Sequence, residues 1–527
     1  MKTVLEQAKK VNVTGEYDVL VVGGGYAGFG AAMCAARNGA KTLLVEQQSS
    51  LGGLVTLGLV ALTFSYIEGI GHELFYNLKK ENAVAGRFID PEKAKRILEQ
   101  MLIQEGVAIL YNTTVVDAVM DGHTIQGAII HNKGGRQAIL AKRVIDTSGD
   151  GDISAYAGAP FEVGSPEHNG YNMASSLVMR VGNVDMEQYN NSLKDSRNHG
   201  GNLWQDKIEE AVDNGDFPYM IDRRLNWAVI IPGRDQKHQE LCLCYAHSRN
   251  CRCTDGWDIT RQLIEQREQS EMTIQFTRKY LPGFEHAWLI DTAPMLGVRD
   301  SRRIIGEYVL SIEDVLEGRE FPDTVVRDMH HIDVHHPTDV GHIKHLVRHN
   351  ADGSEEKVYK IPGTYHNVPY RSLVPLNVDN LLVAGRCFSA DFLAQSTVRL
   401  VLACLNMGQA TGTAAALSLE HNVTPRQLDA QVLRQRLIDM GIRLDKKPTY
   451  GVANVTTAKQ IKNEDLLFPD DPDSESSAVN VRSSAMALVE EGCQSEEKEQ
   501  AEWEKRLRER EAVGYTNTGG DVGSILE

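Results

Sequence analysis

No run of apolar residues in this 527-residue chain approaches the roughly 18 that a membrane span requires, and its first residues, MKTVLEQAKKVNVTGEYD, lack the apolar core of a signal peptide. The expected compartment is therefore the cytoplasm, with no membrane partner. Positive charge is also short. Lys and Arg number 55 against 72 Asp and Glu, a formal net charge of -17, which excludes the basic footprint of a nucleic-acid binder. Cysteine is missing where redox chemistry would need it: none lies between Cys34 and Cys242, and no C-x-x-C pair occurs. That removes an early dithiol and the usual iron-sulfur motifs. A second G-x-G-x-x-G after a strand is absent too.

One such turn is present. In DVLVVGGGYAGFGAAMCAARNGAKTLLVEQ, Asp18 to Val22 is a short apolar strand, Ala27 to Asn38 a small-residue helix closed by Gly39, and Thr42 to Glu46 the next strand. Gly23, Gly25 and Gly28 form G-x-G-x-x-G between strand and helix, so the helix amides can face a pyrophosphate. Glu46 ends the second strand, where a carboxylate accepts from both ribose hydroxyls and disfavours a 2′-phosphate. NAD and FAD both satisfy these requirements.

Further on the pattern is mixed α/β. A helix is predicted near Pro91 to Glu105, then strands at Thr113 to Met120, Gln126 to His131 and Ala138 to Asp146, joined by DGH and NKGG turns. An irregular region follows, with strands in NWAVIIP and ELCLCYA and a helix near DITRQLIEQREQSEMTIQFTRKYL, as expected of an inserted domain. NLLVAGRCFS and the Ala-rich helix LACLNMGQATGTAAALSL return to the nucleotide unit. LLFPDDPDSESS reads as a linker, and SEEKEQAEWEKRLREREA as a charged helix suited to solvent or to contact with another copy of the chain. Cys242, Cys244, Cys251 and Cys253 cluster as two C-x-C pairs. That spacing sends both thiols to one strand face and favours buried reduced cysteines over a zinc site.

LGGLVT, VIDTSGDGD and NLLVAGR narrow the choice of dinucleotide, and five segments carry a wider resemblance: LGGLVT (Leu51 to Thr56), VIDTSGDGD (Val144 to Asp152), LGVRDSRRIIGEY (Leu296 to Tyr308), PYRSLVP (Pro369 to Pro375) and NLLVAGRCFSA (Asn380 to Ala390). In this order they resemble the FAD-dependent oxidoreductase family of the two-dinucleotide-binding-domain, glutathione-reductase-like flavoproteins. The resemblance runs from about Tyr17 to Leu419. It implies an α/β fold: a Rossmann-like FAD-binding domain, made of a parallel sheet plus a three-stranded antiparallel meander, with an inserted α+β substrate domain and a helical C-terminal extension. The corresponding division is 1–160 and 291–420 for the two parts of the FAD domain, 161–290 for the insert and 421–527 for the extension and tail.

By the same resemblance Gly23, Gly25, Gly28 and Glu46 hold the ADP half of FAD, with Tyr26, Ala27, Gln47, Gly52, Gly53 and Thr56 from the flanking segments and Val115 at the adenine. Ser148, Gly149 and Asp150 fall by the pyrophosphate; Ser148 stands where the family has Thr. Gly385 and Arg386 approach the ribityl phosphate, Arg399 faces cofactor or substrate, and Gly408 with Gln409 opens the last helix toward the isoalloxazine. With no early cysteine pair, disulfide reduction is excluded. With no second nucleotide motif, a hydride is expected to pass directly between flavin and a small organic substrate, in a dehydrogenase or reductase. An oxidase or monooxygenase using oxygen is the alternative; an electron-transfer subunit is another, less well supported for want of cluster cysteines.

Such chemistry needs a group to move a proton and cations to hold an anionic substrate. Arg299, Arg302 and Arg303 in RDSRR form a possible anion clamp, unless they pair with Asp300, Glu307 or Asp291. In HHIDVHHPTD, His335 and His336 are the candidate acid-base residues. Strand alternation would put His331, Asp333 and His335 on one face, a set able to hold a metal or couple a histidine to a carboxylate. A similar stretch occurs in the family, which works with flavin alone, so no metal is expected. Tyr370 and Arg371, fixed by Pro369, complete the catalytic candidates.

Overall fold

The structure is a computed structural model that describes residues 2–444 apart from 64–66, 86–87, 197–203, 217–226, 234–237, 340, 351 and 361–364. The linker and charged helix expected beyond residue 445 lie outside the described residues.

The main sheet has seven strands. From one edge they run Ala108–Leu110, Thr42–Val45, Asn12–Val22, Gly135–Asp146, Thr124–Asn132 and Thr114–Asp121, with Leu381–Val383 alongside the end of Gly135–Asp146. Pairing is parallel among the first four and with Leu381–Val383, and antiparallel through the last three. Both faces of the end of the first strand are covered, so Val19, Leu20, Val21 and Val22 form a continuous apolar run instead of an alternation. The meander leaves Gly135–Asp146 where its last residues pair with Leu381–Val383, and this brings two segments more than 200 residues apart to the mouth of the glycine turn.

Helix Tyr26–Arg37, expected from Ala27 to Asn38, packs against the long helix Val401–Glu420. Small residues allow the close approach. A Cβ on Gly408 would lie 2.1 Å from the Ala27 carbonyl oxygen, and one on Gly412 would lie 2.1 Å from that of Ala31. This is why the sequence there is so rich in Gly and Ala.

A second, four-stranded antiparallel sheet lies between the two lengths of chain that build the first. Its order is Trp227–Ile230, His238–Ser248, Ser175–Asp185, Trp288–Thr292, and helix Gly256–Tyr280 packs against it. Cys242, Cys244, Cys251 and Cys253 are buried and outside any disulfide, in one apolar cluster with Leu177 and Val178. Among the described residues no single helix is long and apolar enough to cross a membrane.

Candidate active site

The glycine turn shows two different reasons for glycine. Gly23 has φ 105°, and a Cβ there would meet the Thr147 carbonyl oxygen at 2.6 Å; one on Gly28 would lie 1.8 Å from the Gly23 carbonyl. Both are dictated by the protein's own backbone. Gly25 is not: its φ is -67° and nothing lies within 4 Å of the site of a Cβ. Its open side faces a cavity of about 1010 Å³, open mouth included. Helix Tyr26–Arg37 starts there with no side-chain cap and no acid in its first turn, so its leading amides and positive dipole end are left for an anion.

Glu46 also lines the cavity, 8% exposed. Burial raises its pKa, while the Gln48 and Gly24 amides, both donating to the carboxylate, oppose the shift. Each oxygen keeps a lone pair for another donor. Gln47, Gly52, Gly53 and Val115 complete this part of the wall, with Thr113, Thr114 and Gln48, which lie beside the predicted residues without motif of their own.

The second part comes from the two strand ends brought together. Asp146, fully buried, accepts from the backbone and hydroxyl of both Ser148 and Ser154 and so ties the 147–154 loop down. Thr147 donates to the Val22 and Gly23 carbonyls. Ser148, Gly149, Gly385 and Arg386 line the cavity. Burial works against the Arg386 guanidinium, but Asp150, 3.3 Å away, keeps its pKa raised. Asp152 faces the cavity as well; burial, with Asp150 and Asp146 nearby, pushes its carboxyl up to about 6 in spite of Arg302.

Met295, Arg399, Val401 and Cys404 form the remaining wall. Arg399 connects it to a polar cluster. Its Nη2 donates to the Asp333 carbonyl at 2.9 Å and to Asp333 Oδ2 at 3.1 Å, while its buried Nε has no partner. Burial lowers its pKa to about 10, Asp333 notwithstanding. Asp333 Oδ1 lies 3.4 Å from His342 Nδ1, the His335 and His342 ring centroids are 4.0 Å apart, and His335 stacks on His247 at 5.7 Å. Burial disfavours the Asp333 carboxylate, yet His342, His335 and Arg399 together hold its pKa well below the ordinary range. Burial, then Arg299, keeps His335 neutral far below the usual imidazole pKa, and His247 is pushed down to about 3 for the same reasons. Arg299 is buried, donates to the Ala174 carbonyl at 2.6 Å, and shares Gln395 with Arg386: the Gln395 amide donates to both backbones.

Other expected residues lie elsewhere. Gly28 packs inside the turn, and Thr56 donates to the Leu51 carbonyl, closing the Leu51 to Thr56 turn. Asp150 braces Arg386 and accepts from Ser301 without lining the cavity. Gly408 and Gln409 do not open the Ala-rich helix: it starts at Val401, and they sit mid-helix, Gly408 against Ala27 and Gln409 accepting from the Ile70 amide. The helix end that reaches the cavity is thus at Val401. Of the clamp, only Arg299 joins the cluster; Arg302 pairs with Asp152 at 2.8 Å and Arg303 with Asp300 at 3.7 Å. His336 turns away, its Nδ1 accepting from the Thr338 and Asp339 amides. Tyr370 donates to the Pro425 carbonyl, and the half-exposed Arg371 pairs with Asp323 at 2.9 Å. His342, and not His331, stands opposite His335, because only Val334–His335 is strand and the chain turns back to place His342 there.

A family model described as FAD dependent oxidoreductase matches residues 18–437. Digeranylgeranylglycerophospholipid reductase of Picrophilus torridus is 26% identical over 213 residues, 36% of this chain and 52% of that protein. Thiamine thiazole synthase of Sulfolobus acidocaldarius is 30% identical over 156 residues, 27% of this chain and 59% of that one. The chain thus spans about half the length of the curated relatives it matches. A solved structure of a geranylgeranyl bacteriochlorophyll reductase-like protein from Thermoplasma acidophilum is 13% identical, with a TM-score of 0.39 over 81% of this chain and 83% of that one.

Proposed function

Since the chain belongs to the FAD dependent oxidoreductase family, we propose that it exchanges a hydride between FAD and a small anionic organic substrate, as a dehydrogenase or reductase. The residues present fit the cofactor: the open side of Gly25, the uncapped helix end, the Glu46 acceptor and the Arg386 cation meet in one cavity. Bound FAD supplies the two-electron acceptor or donor. Gly25 and the first amides of its helix would hold phosphate, Glu46 the ribose, and Arg386 the second half of the dinucleotide.

The observation that carries the substrate reading is the Arg399–Asp333 contact. It places two buried guanidinium groups, Arg399 and Arg299, beside Asp333 between the cavity wall and the histidines, while the nearby buried Asp300 is paired with Arg303. Such a charge excess in a dry setting favours an incoming anion. The proton that accompanies hydride movement is handled at the Asp333, His335 and His342 cluster. Seven buried cysteines among the described residues, none in a disulfide, support a reducing compartment, and we keep the cytoplasm as part of the reading. The test is anaerobic bleaching of the bound flavin against a panel of hydroxy, amino and unsaturated carboxylic acids. Bleaching by one of them supports the reading; bleaching by NADH alone reverses the direction of the reaction, and rapid reoxidation in air would make the enzyme an oxidase.

A further inference from the structure

We propose that Asp333, His335 and His342 form a binding site for a divalent transition-metal ion, which holds an oxygen of the anionic substrate beside the Arg399 wall. The proposal rests on the preceding reading for the substrate, and on the hairpin for the metal.

Val334–His335 pairs antiparallel with His342–Ile343, and His335 is directly opposite His342. Directly opposed residues project to the same face of a ladder, and the chain just before the strand brings the Asp333 carboxylate to that face, beside His342. One ligand atom from each of the three lies within 4.8 Å of those of the other two. The Asp333 Oδ1 to His342 Nδ1 separation, 3.4 Å, is long for a charge-assisted hydrogen bond. It matches the edge of a tetrahedron, about 3.4 Å for metal–ligand bonds of roughly 2.1 Å.

The donor set is two imidazoles and a carboxylate, which suits zinc, iron, cobalt or manganese and not calcium or magnesium with their oxygen shells. Three protein ligands leave a coordination position for an exogenous oxygen. The outer contacts are of the kind that orient such ligands: Arg399 takes the other Asp333 oxygen, leaving Oδ1 to the metal, and His247 stacks on the His335 ring. Charge then points to the occupant of the open position. Arg399 already balances Asp333, so a divalent ion next to Arg299 leaves a net positive site that an anionic oxygen neutralises.

The FAD-loaded protein, stripped with chelator and dialysed, is titrated with Zn2+ by calorimetry and with Co2+ by its ligand-field absorption beyond the flavin bands. One equivalent bound, with the Co2+ spectrum of a four- or five-coordinate N/O site, is expected. Asp333→Asn and His342→Gln should each weaken binding at least 10-fold, whereas His342→Asp, which keeps a ligand, retains it, and His349→Gln, on the surface, leaves it unchanged. Flavin content reports that each variant is folded. No stoichiometric binding, or binding undiminished in both Asp333→Asn and His342→Gln, overturns the proposal. Substrate bleaching by metal-free protein at the full rate overturns the metal's role and leaves the hydride reading intact. Metal binding lost in these variants, with no carboxylic acid bleaching the flavin, upholds the metal site while the hydride reading fails.

Discussion

Arg399 Nη2 donates both to the carbonyl oxygen of Asp333, at 2.9 Å, and to its Oδ2, at 3.1 Å. A cavity wall and a histidine-bearing hairpin, 66 residues apart, are held together by one buried guanidinium. Methionine at 399 preserves much of the volume and removes every donor. Arg399→Met should slow anaerobic flavin reduction by the substrate on the order of 100-fold. Flavin content of the purified variant should stay near wild type, which separates substrate handling from cofactor binding.

The two kinds of glycine in the turn predict opposite phenotypes. Gly28→Ala forces a methyl to within 1.8 Å of a carbonyl oxygen and should destabilise the protein by about 1–3 kcal/mol or more. Gly25→Ala has no protein atom to meet, so its thermal midpoint without cofactor should equal wild type, but FAD should bind at least 10-fold more weakly. A Gly25→Ala protein with full FAD affinity would show that the cofactor backbone does not approach there.

Glu46 spends its carboxylate on two backbone amides and faces the cavity with what remains. Glu46→Gln keeps the shape and turns one acceptor into a donor aimed at an N–H. Loss of about 1.5–3 kcal/mol of FAD binding follows, roughly 10- to 100-fold by fluorescence titration of the apoprotein.

Asp152 gives a pH dependence. Its carboxyl is raised from 3.8 to about 6, so it is protonated in the folded chain over a window where the unfolded chain is ionised. The stability it contributes is present below about pH 3.8 and lost as pH rises through 6. Once ionised it also repels the diphosphate. FAD affinity should fall on the order of 3- to 10-fold as pH passes from 5 to 7, and Asp152→Asn should flatten that fall.

Arg371 is half-exposed and bound to Asp323 at 2.9 Å. Arg371→Ala should cost no more than about 1 kcal/mol in thermal stability and leave flavin reduction unchanged. A large loss of turnover would return this residue to the site.

The strand, glycine turn, helix and Glu46 were readable in the sequence because their requirements are local: steric at Gly23 and Gly28, periodic in the flanking apolar runs. Gly149, Gly385 and Arg386 were readable only through their resemblance to a family pattern, since it is the pairing of Leu381–Val383 with Gly135–Asp146 that brings them to the turn. In the sequence Gly408 looks like a helix start, whereas in the fold it lets Ala27 approach. Glycine at a helix end and at a helix contact look alike in one dimension.

The sequence by itself determined that a dinucleotide is bound, and by resemblance that it is FAD, because a tight turn and a ribose acceptor lie within one short βαβ unit. Only the tertiary structure decided which charged residues share the space beyond it. Arg299 and Arg399 come to Asp333 and His335, while Arg302, Arg303 and Arg371 are taken by Asp152, Asp300 and Asp323. Choosing among arginines is a matter of which carboxylate each finds on folding, and spacing along the chain carries no record of it. His342 in place of His331 has the same cause: a hairpin, not strand alternation, sets who faces His335.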